Sequence, residues 1–282
     1  MSNAFVQSVQ PRSWDAQLAL EFDRRGKRTA LSARRHDGPL VVQKPLYPEG
    51  DEVCHAIIVH PPAGIVGGDE LEIDVHVKEN AHALLTTPGA SKWYRSAGPW
   101  AQQRINFDVG VGGSLEWLPQ ESIVFNGALA ELRTTVQLEA DAAFIGWEIF
   151  CLGRAGSGEK FVAGEWRTRL QIERERRPLW LERGQLDGGS AALHSPAIMA
   201  GHSVAGAFVA TSSRLDDGHL HNCRNVTPLT GSGAVTAMPG LFLGRYLGAS
   251  SEAAKKYFTQ LWRQLRPALV GRAPSEPRIW RT

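Results

Sequence analysis

The chain has 282 residues, of which 43% are hydrophobic and 21% are charged, a composition typical of a soluble globular protein. Its 31 basic and 29 acidic residues are mixed along the chain and give a formal net charge of +2, which indicates no nucleic-acid partner. No apolar run approaches the ~20 residues that cross a bilayer, and residues 1–15 lack the apolar core of a signal peptide. We therefore expect a cytoplasmic protein with no membrane partner and a flexible N-terminus over residues 1–13.

Short stretches of alternating polar and apolar side chains run along most of the chain, and this period of two is typical of half-buried strands. The clearest stretches are residues 17–22, 70–78, 132–138 and 166–172. Turn signals that contain glycine separate such runs at residues 23–26, 36–39, 110–113 and 216–218. The pattern predicts a mainly β chain, long enough for one large domain, and it shows no fixed period that would indicate a regular solenoid or propeller.

One helical pattern is convincing, over residues 250–266 near the C-terminus. Serines at both 250 and 251 suit the N-cap, Pro267 is expected to stop the helix, and one apolar stripe is formed by Ala254, Tyr257, Phe258, Leu261, Trp262 and Leu265. We expect this stripe to pack on the same domain, and coverage by a partner protein is the alternative. Residues 269–282 are predicted to form an extended tail anchored by Ile279 and Trp280.

The three cysteines, Cys54, Cys151 and Cys223, are far apart in the chain and form no C-x-x-C pair. Neither a zinc knuckle nor a disulfide framework is therefore indicated. Because a free cysteine behaves as a small apolar side chain, we expect three buried, reduced thiols.

Residues 60–69, HPPAGIVGGD in one-letter code, form a shaped loop in which prolines stiffen the chain and glycines let it bend. A phosphate-binding loop needs Gly-Lys-Ser/Thr before a helix, whereas Asp69 and a strand follow here, which argues against a nucleotide site. Asp69 is either a hydrogen-bonded turn carboxylate or a carboxylate held in a cavity. His60 and Asp69 together are a weak signal for a metal site, because no further spaced ligands accompany them.

Two sets of residues are candidates for hydrolytic chemistry. Ser91 and Lys92 are adjacent, so strand geometry turns their side chains to opposite faces, and no Ser-x-x-Lys spacing is present. Glu116 and Glu121 are a pair of acids of the kind that glycosidases use, but nothing in the sequence places them across a sugar. A hydrolase that acts through Ser91 or through these acids is a competing hypothesis, and a structural role is favoured for both sets.

Glu148 and Glu182 are the most informative carboxylates, because each interrupts an apolar strand. An ionised carboxylate is costly to bury unless it is paired, hydrated or bound to a cation. Arg154 and Arg183 are the arginines that would neutralise them in ordinary ion pairs. The alternative is that both carboxylates line a polar internal passage for a divalent cation, and the residues alone leave both interpretations open.

Several segments together resemble the UreD family of urease accessory proteins, also called UreH. The segments that match motifs of this family are HPPAGIVGGD at 60–69, PGASKWYRS at 88–96, EWLPQ at 116–120, CLGR at 151–154 and PRIW at 277–280. The resemblance runs from about residue 14 to the end of the chain. Ala63 and Trp93 depart from the family pattern, which usually has glycine and phenylalanine at these positions.

The resemblance implies a single mainly β domain over residues 14–268, built of stacked, roughly helically wound sheets with about two helices, one near the C-terminus. It also implies a maturation factor, not an enzyme, that binds the urease apoprotein and the accessory protein UreF, which recruits the GTPase UreG. GTP hydrolysis belongs to that partner, because this chain has no Walker motif. A pure bridging module without a metal path is the alternative.

The same resemblance implies an internal passage that carries nickel to the urease active site. Asp69, Glu148 and Glu182 are then the candidates for its polar lining, with His60 as a weaker one. Ni²⁺ in transit needs oxygen or nitrogen groups that replace part of its hydration without trapping the ion. Isolated carboxylates along a wet channel meet this need, so we expect transient nickel and no tightly bound cofactor.

Overall fold

The structure is a computed structural model that describes residues 13–211 and 216–281. Residues 1–12 of the predicted flexible N-terminus lie outside this described part. The strands are β1 (Asp15–Arg25), β2 (Arg28–Asp37), β3 (Val41–Val42), β4 (Cys54–Val59), β5 (Glu70–Val77), β6 (His82–Thr86), β7 (Ser91–Trp93), β8 (Ala101–Val109), β9 (Ser114–Trp117), β10 (Ser122–Val124), β11 (Leu129–Leu138), β12 (Ala143–Leu152), β13 (Glu165–Arg174), β14 (Arg177–Asp187), β15 (Val204–Thr211), β16 (Ser232–Met238) and β17 (Leu241–Gly248). The helices are α1 (Asp217–Arg224) and α2 (Ser251–Val270), with 3-10 turns at Ala155–Ser157, Ala191–Leu193 and Arg278–Arg281. No described helix has the length and apolar character of a membrane span.

The strands form two stacked sheets around a shared core. The seven-stranded sheet has the order β14-β13-β11-β8-β5-β1-β2, and the main path of the ten-stranded sheet is β16-β17-β15-β12-β9-β6-β4-β3, with β10 and β7 on a branch beside β12. The chain winds between the sheets, so that β5, β8 and β11 run parallel in one while β6, β9 and β12 run parallel in the other. The prediction of a mainly β fold of stacked, helically wound sheets is confirmed, as is a helix near the C-terminus.

The coils of this winding differ in length, which explains why the sequence shows no repeat period. In the seven-stranded sheet Glu70 aligns with Gln102, and Gln102 aligns with Glu131. Glu131 aligns in turn with Arg167, so successive coils hold 32, 29 and 36 residues. The backbone therefore resembles a β-solenoid whose strands stack regularly while its connecting loops vary.

Alternation decides which strand faces enter the core. In β5 the apolar residues are buried and the polar residues between them are half-buried or exposed, and β1 and β11 follow the same pattern. The inward side chains of both sheets meet in one cluster that includes Phe22, Phe107, Trp93 and Trp166. All four strand predictions are confirmed.

Helix α1 corrects the prediction of a turn at residues 216–218. Asp216 is its N-cap, and the carboxylate accepts a hydrogen bond from the backbone N–H of His219 at 3.0 Å. The helix has eight residues and buries Cys223, so its sequence carries no apolar stripe that periodicity would detect. Aspartate and glycine suit both a turn and a helix start, which is why the local pattern is ambiguous.

Helix α2 covers the outer face of the ten-stranded sheet. Ser250 is the N-cap and accepts a hydrogen bond from the N–H of Ala253 at 3.2 Å, and the predicted apolar stripe is buried in a cluster with β12, β15 and β17. The prediction that Pro267 stops the helix is wrong, because α2 continues for three more residues. Proline removes only one backbone donor. The helix continues past it because Leu269 is buried and because the N–H of Gly271 bonds the Pro267 carbonyl at 3.0 Å.

A buried charged network joins α2 to the ten-stranded sheet. The fully buried Glu116 carboxylate accepts hydrogen bonds from His82 Nε2 (2.7 Å), Trp262 Nε1 (2.6 Å) and Arg266 (2.9–3.1 Å). The same guanidinium binds Glu49 at 2.7 Å. Burial by itself raises the pKa of Glu116, but the hydrogen bond and charge of His82 and the charge of Arg266 hold it at about 2. An ionised Glu116 therefore fixes the helix to the sheet.

The C-terminal segment is anchored on the same side of the molecule. Trp280 packs against Trp147 and Trp262, with ring centroids 5.7 and 6.3 Å apart. Its Nε1 donates a hydrogen bond to Thr86 Oγ1 at 2.9 Å. Residues 269 and 270 belong to α2 and residues 278–281 form a 3-10 turn, so the tail is extended only between them.

The three cysteines are buried free thiols, as predicted. Burial raises the pKa of Cys151 and of Cys223 to about 12. Both thiols therefore stay protonated at neutral pH and act as apolar packing groups.

Candidate functional site

A cavity of about 740 Å³ lies between the two sheets. It exists because small residues take inward positions on the ten-stranded sheet, among them Gly146, Ala205 and Ala207, where larger side chains would fill the space. Its aromatic lining includes Trp117, Phe144, Phe150 and Trp166, and its polar lining includes Thr134, Glu148, Glu182 and Arg245. A mixed lining with a few convergent polar groups is typical of a functional cavity.

Strand register brings the polar groups of this cavity into two facing rows. The rows are Glu182, Leu170 and Thr134 on the seven-stranded sheet, and Arg245, Ala207 and Glu148 on the ten-stranded sheet. Two bridges join them: Thr134 Oγ1 donates to Glu148 at 2.6 Å, and Arg245 donates to both oxygens of Glu182 at 2.6 and 2.7 Å. The bridges are two strands apart in each sheet, a separation of about 10 Å.

Glu148 is the inner carboxylate of the cavity. Protein atoms surround it, and this burial raises its pKa to about 7, while the hydrogen bond from Thr134 lowers the pKa and the negative charge of Glu182 raises it further. The side chain is half-buried and lines the cavity. Glu148 is therefore a carboxylate that a proton or a metal cation would stabilise.

Glu182 is the outer carboxylate, and its counter-ion is Arg245. Trp180 Nε1 also donates to it at 3.1 Å. The sequence suggests Arg154 and Arg183 as partners for the two carboxylates, but Arg154 pairs with Glu159 at 2.9 Å, and the exposed side chain of Arg183 lies on the opposite face of β14. An ion pair whose cation comes from β17 thus lines the outer end of the cavity.

The ten-stranded sheet has a gap beside Glu148. The ladder between β12 and β9 ends at Gly146, and the ladder between β12 and β10 begins at Phe150. The chain between β9 and β10 bends away at Pro119, whose carbonyl accepts a hydrogen bond from Trp147 Nε1 at 2.8 Å. The EWLPQ motif at 116–120 supplies this bend.

A second cavity of about 270 Å³ begins at this gap. Glu148 and Trp117 line both cavities. The remaining wall of the second cavity includes the motif loops at 60–65 and 87–92. Glu148 therefore stands at the junction of two spaces inside the protein.

His60 lies in the wall of the second cavity, and Asp69 does not reach either cavity. Burial lowers the pKa of the His60 imidazole, and the charge of Asp69 opposes this effect. The buried Nε2 atom of His60 has no hydrogen-bond partner among the described residues. Asp69 is fully buried and accepts hydrogen bonds from the N–H groups of Trp14 and Val66 at 2.7 and 2.9 Å, so its carboxylate shapes the loop that carries His60.

The two motif loops depend on each other for their shape. The N–H of Ile65 bonds the Lys92 carbonyl at 2.7 Å, and the N–H of Tyr94 bonds the Ile65 carbonyl at 2.9 Å. A Cβ atom at Gly64 would overlap the ring of Tyr94. This close approach explains why glycine is needed at this position.

The two departures from the family pattern have visible consequences. Ala63 adopts a φ of +60°, a left-handed conformation that glycine adopts at lower cost. Trp93 is buried and packs edge-on against Trp166, with ring centroids 5.2 Å apart. The extra bulk of tryptophan relative to phenylalanine is therefore absorbed within the core.

The candidate hydrolytic residues take part in packing. Glu116 faces α2 in the buried network described above, and Glu121 accepts a hydrogen bond from Ser251 at 3.1 Å. Ser91 lies on β7 and lines the second cavity with Lys92. Across residues 13–211 and 216–281, no three His, Cys, Asp or Glu side chains come close enough together to hold a metal ion.

Sequence reasoning missed Thr134 and Arg245, which complete the polar path, and Trp117, which lines both cavities. Thr134 occupies an inward position of β11 between apolar neighbours, and Arg245 interrupts the apolar strand β17. Arg245 carries the signal that identified Glu148 and Glu182, a polar residue in an apolar strand. Thr134 is instead a polar residue at an inward position of an alternating strand. That signal alone does not say which polar residues will meet.

Comparison with known proteins gives a consistent result. The family model described as UreD urease accessory protein matches residues 15–281. A protein of Azoarcus sp. (strain BH72) named urease accessory protein UreD is 52% identical over 277 residues, which cover 98% of this chain and 97% of that protein. Proteins of the same name from Dechloromonas aromatica (strain RCB) and Pseudomonas aeruginosa (strain PAO1) are 51% and 49% identical, over 96% of this chain and 95% and 96% of theirs.

Proposed function

This chain belongs to the UreD family of urease accessory proteins, and from that premise we propose that it acts in urease maturation. In this proposal the protein is a cytoplasmic scaffold without catalytic activity, which binds the urease apoprotein and UreF. UreG, the GTPase, joins through UreF. Nickel then reaches the urease active site by way of the two internal cavities.

The observation that carries the metal path is the position of Glu148. It lines both cavities and stands beside the gap in the ten-stranded sheet. An ion that moves from one cavity to the other passes this carboxylate. Water-sized space on both sides allows the ion to keep part of its hydration.

The chemistry along this path suits an ion that must not be trapped. Glu182 stands at the outer end, Glu148 about 10 Å further in, and His60 in the second cavity. Oxygen and nitrogen ligands suit Ni²⁺, and isolated ligands bind it more weakly than a closed cage of four. In this proposal Asp69 contributes indirectly, because it holds the loop of His60 in shape.

A pure bridging role, without a metal path, is the alternative. It is favoured by the ion pair between Glu182 and Arg245 and by the two backbone hydrogen bonds of Asp69. In this alternative the carboxylates stabilise the fold, and the cavities have no role in nickel transfer. The alternative shares the same protein partners and differs only in what the interior does.

The test is urease activation in cells that express the urease genes at limiting nickel. We would compare the wild-type protein, a deletion, a double variant with Glu148→Gln and Glu182→Gln, and the control Glu159→Gln, whose carboxylate lies outside the two cavities. Urease activity and the nickel content of purified urease are the readouts. Co-purification with urease and UreF checks that each variant still assembles.

With a metal path, the double variant assembles normally but leaves urease at least about tenfold poorer in nickel, as the deletion does. The control variant matures urease fully. If the double variant also matures urease fully, the bridging role stands and the metal path is rejected. If the deletion itself leaves urease fully active, the maturation role is rejected.

A further inference from the structure

The ion pair at the outer end of the larger cavity contributes little to holding the two sheets together. The side chains of Glu182 and Arg245 are 32% and 41% exposed. Ion pairs with this exposure add little to stability, because water solvates both partners when they separate. The pair is therefore able to open without disturbing the core.

Arg245 nevertheless engages both oxygens of the outer carboxylate. Its guanidinium donates one hydrogen bond to each oxygen of Glu182, at 2.6 and 2.7 Å. Arg183 directly follows Glu182 on β14, so its exposed side chain lies on the opposite face of the strand. It carries the same charge as Arg245 next to the same carboxylate, but only Arg245 is paired with Glu182.

We propose that Arg245 gates the outer end of the passage, occupying Glu182 until a divalent cation takes its place. This inference rests on the proposed function and names the residue that controls entry. Coulombic attraction scales with charge, so a divalent ion gains about twice what a monovalent ion gains from the same carboxylate at the same distance. Either ion must replace the two charge-assisted hydrogen bonds of Arg245, and the larger Coulombic gain of the divalent ion offsets this cost more fully, so the gate favours divalent cations.

Equilibrium dialysis of the tag-free, full-length protein against NiCl₂ at pH 7.5 tests this gate. We expect Arg245→Gln to tighten Ni²⁺ binding by at least about tenfold, because it removes an intramolecular competitor for Glu182. Arg183→Gln removes the same charge from the residue next to Glu182, on the opposite face of β14, and should change the affinity less than about threefold. Adding Glu182→Gln to Arg245→Gln should abolish the gain.

Equal effects of the two arginine variants would overturn the gate, since they would reflect general electrostatics and not competition for Glu182. Unchanged binding in Arg245→Gln would overturn it as well. Circular dichroism checks folding, and an unfolded Arg245→Gln protein also contradicts the proposal, which requires this ion pair to be dispensable for the fold. Dialysis measures Ni²⁺ binding and tests the gate, whereas the urease assay measures nickel delivery and tests the proposed function. Failure of the gate is therefore distinguishable from failure of the proposed function.

Discussion

Replacing Glu148 with glutamine is expected to stabilise the protein above pH 7. Burial raises the pKa of Glu148 from an ordinary value of 4.5 to about 7, and the hydrogen bond from Thr134 only partly offsets this. Between pH 4.5 and about 7 the folded protein keeps a proton on Glu148 that the unfolded chain has released. The free energy of unfolding therefore falls as the pH rises from 4.5 through about 7. Glutamine is neutral at every pH, so the variant escapes this loss.

The size of the effect follows from the shift. The difference between the two pKa values corresponds to roughly 3 kcal/mol at pH 8 and above. Because the carboxylate faces a cavity that admits water, we expect a gain of about 1–3 kcal/mol. At pH 5 the wild-type carboxyl is protonated, and glutamine still offers an acceptor to Thr134, so the two proteins should differ by less than about 1 kcal/mol.

Urea unfolding followed by tryptophan fluorescence at pH 5, 6, 7 and 8 measures this difference. The stability of Glu148→Gln relative to wild type should rise with pH. Thr134→Val is the companion variant. Without the hydrogen bond the pKa of Glu148 rises further, so the loss of stability still begins near pH 4.5 but extends to higher pH and becomes larger. A stability difference that stays flat from pH 5 to 8 would refute the argument that Glu148 is a buried carboxylate held at a cost.

Three further substitutions test the packing around the motifs. Glu116→Gln should lower the free energy of unfolding by about 3 kcal/mol at pH 7, since Arg266 loses its buried carboxylate. Because the pKa of Glu116 is about 2, urea unfolding should show the wild-type advantage above pH 4.5 and its loss as the pH falls towards 2. Trp280→Ala should lower the free energy of unfolding by about 2 kcal/mol and speed tryptic cleavage after Arg272 about tenfold. Unchanged cleavage would count against the aromatic anchor. Ala63→Gly should raise stability by about 0.5 kcal/mol by relieving a positive φ, whereas a lower melting temperature would contradict strain at that position.

Local patterns were sufficient to predict the mainly β class, four of the strands and the helix near the C-terminus. Alternation identified the four clearest strands because each presents one face to the core and one to water, and α2 was visible because its stripe is continuous over about three turns. The same reasoning missed α1, which buries only Cys223 within its eight residues, and it ended α2 at Pro267. In both places tertiary burial and capping decided where the helix lies, and neither of them produces a periodic pattern in the sequence.

The motif segments could be recognised from the sequence, but their purpose could not. The glycine at 64 is required by the ring of Tyr94, which lies thirty residues away in the chain. The bend at Pro119 matters because it opens a gap beside β12. A motif records which residues are needed, and only the folded chain shows what they are needed for.

The amino-acid sequence by itself marks Glu148 and Glu182 as unusual, because each is a polar residue in an apolar strand and burying a carboxylate costs free energy in any fold. Their partners were decided by strand register. Glu148 meets Thr134 and Glu182 meets Arg245 because coils of unequal length align these positions across two sheets. Local composition sets the cost of burying a charge, whereas the contact that offsets this cost depends on residues up to 63 positions apart, and only tertiary packing brings those together.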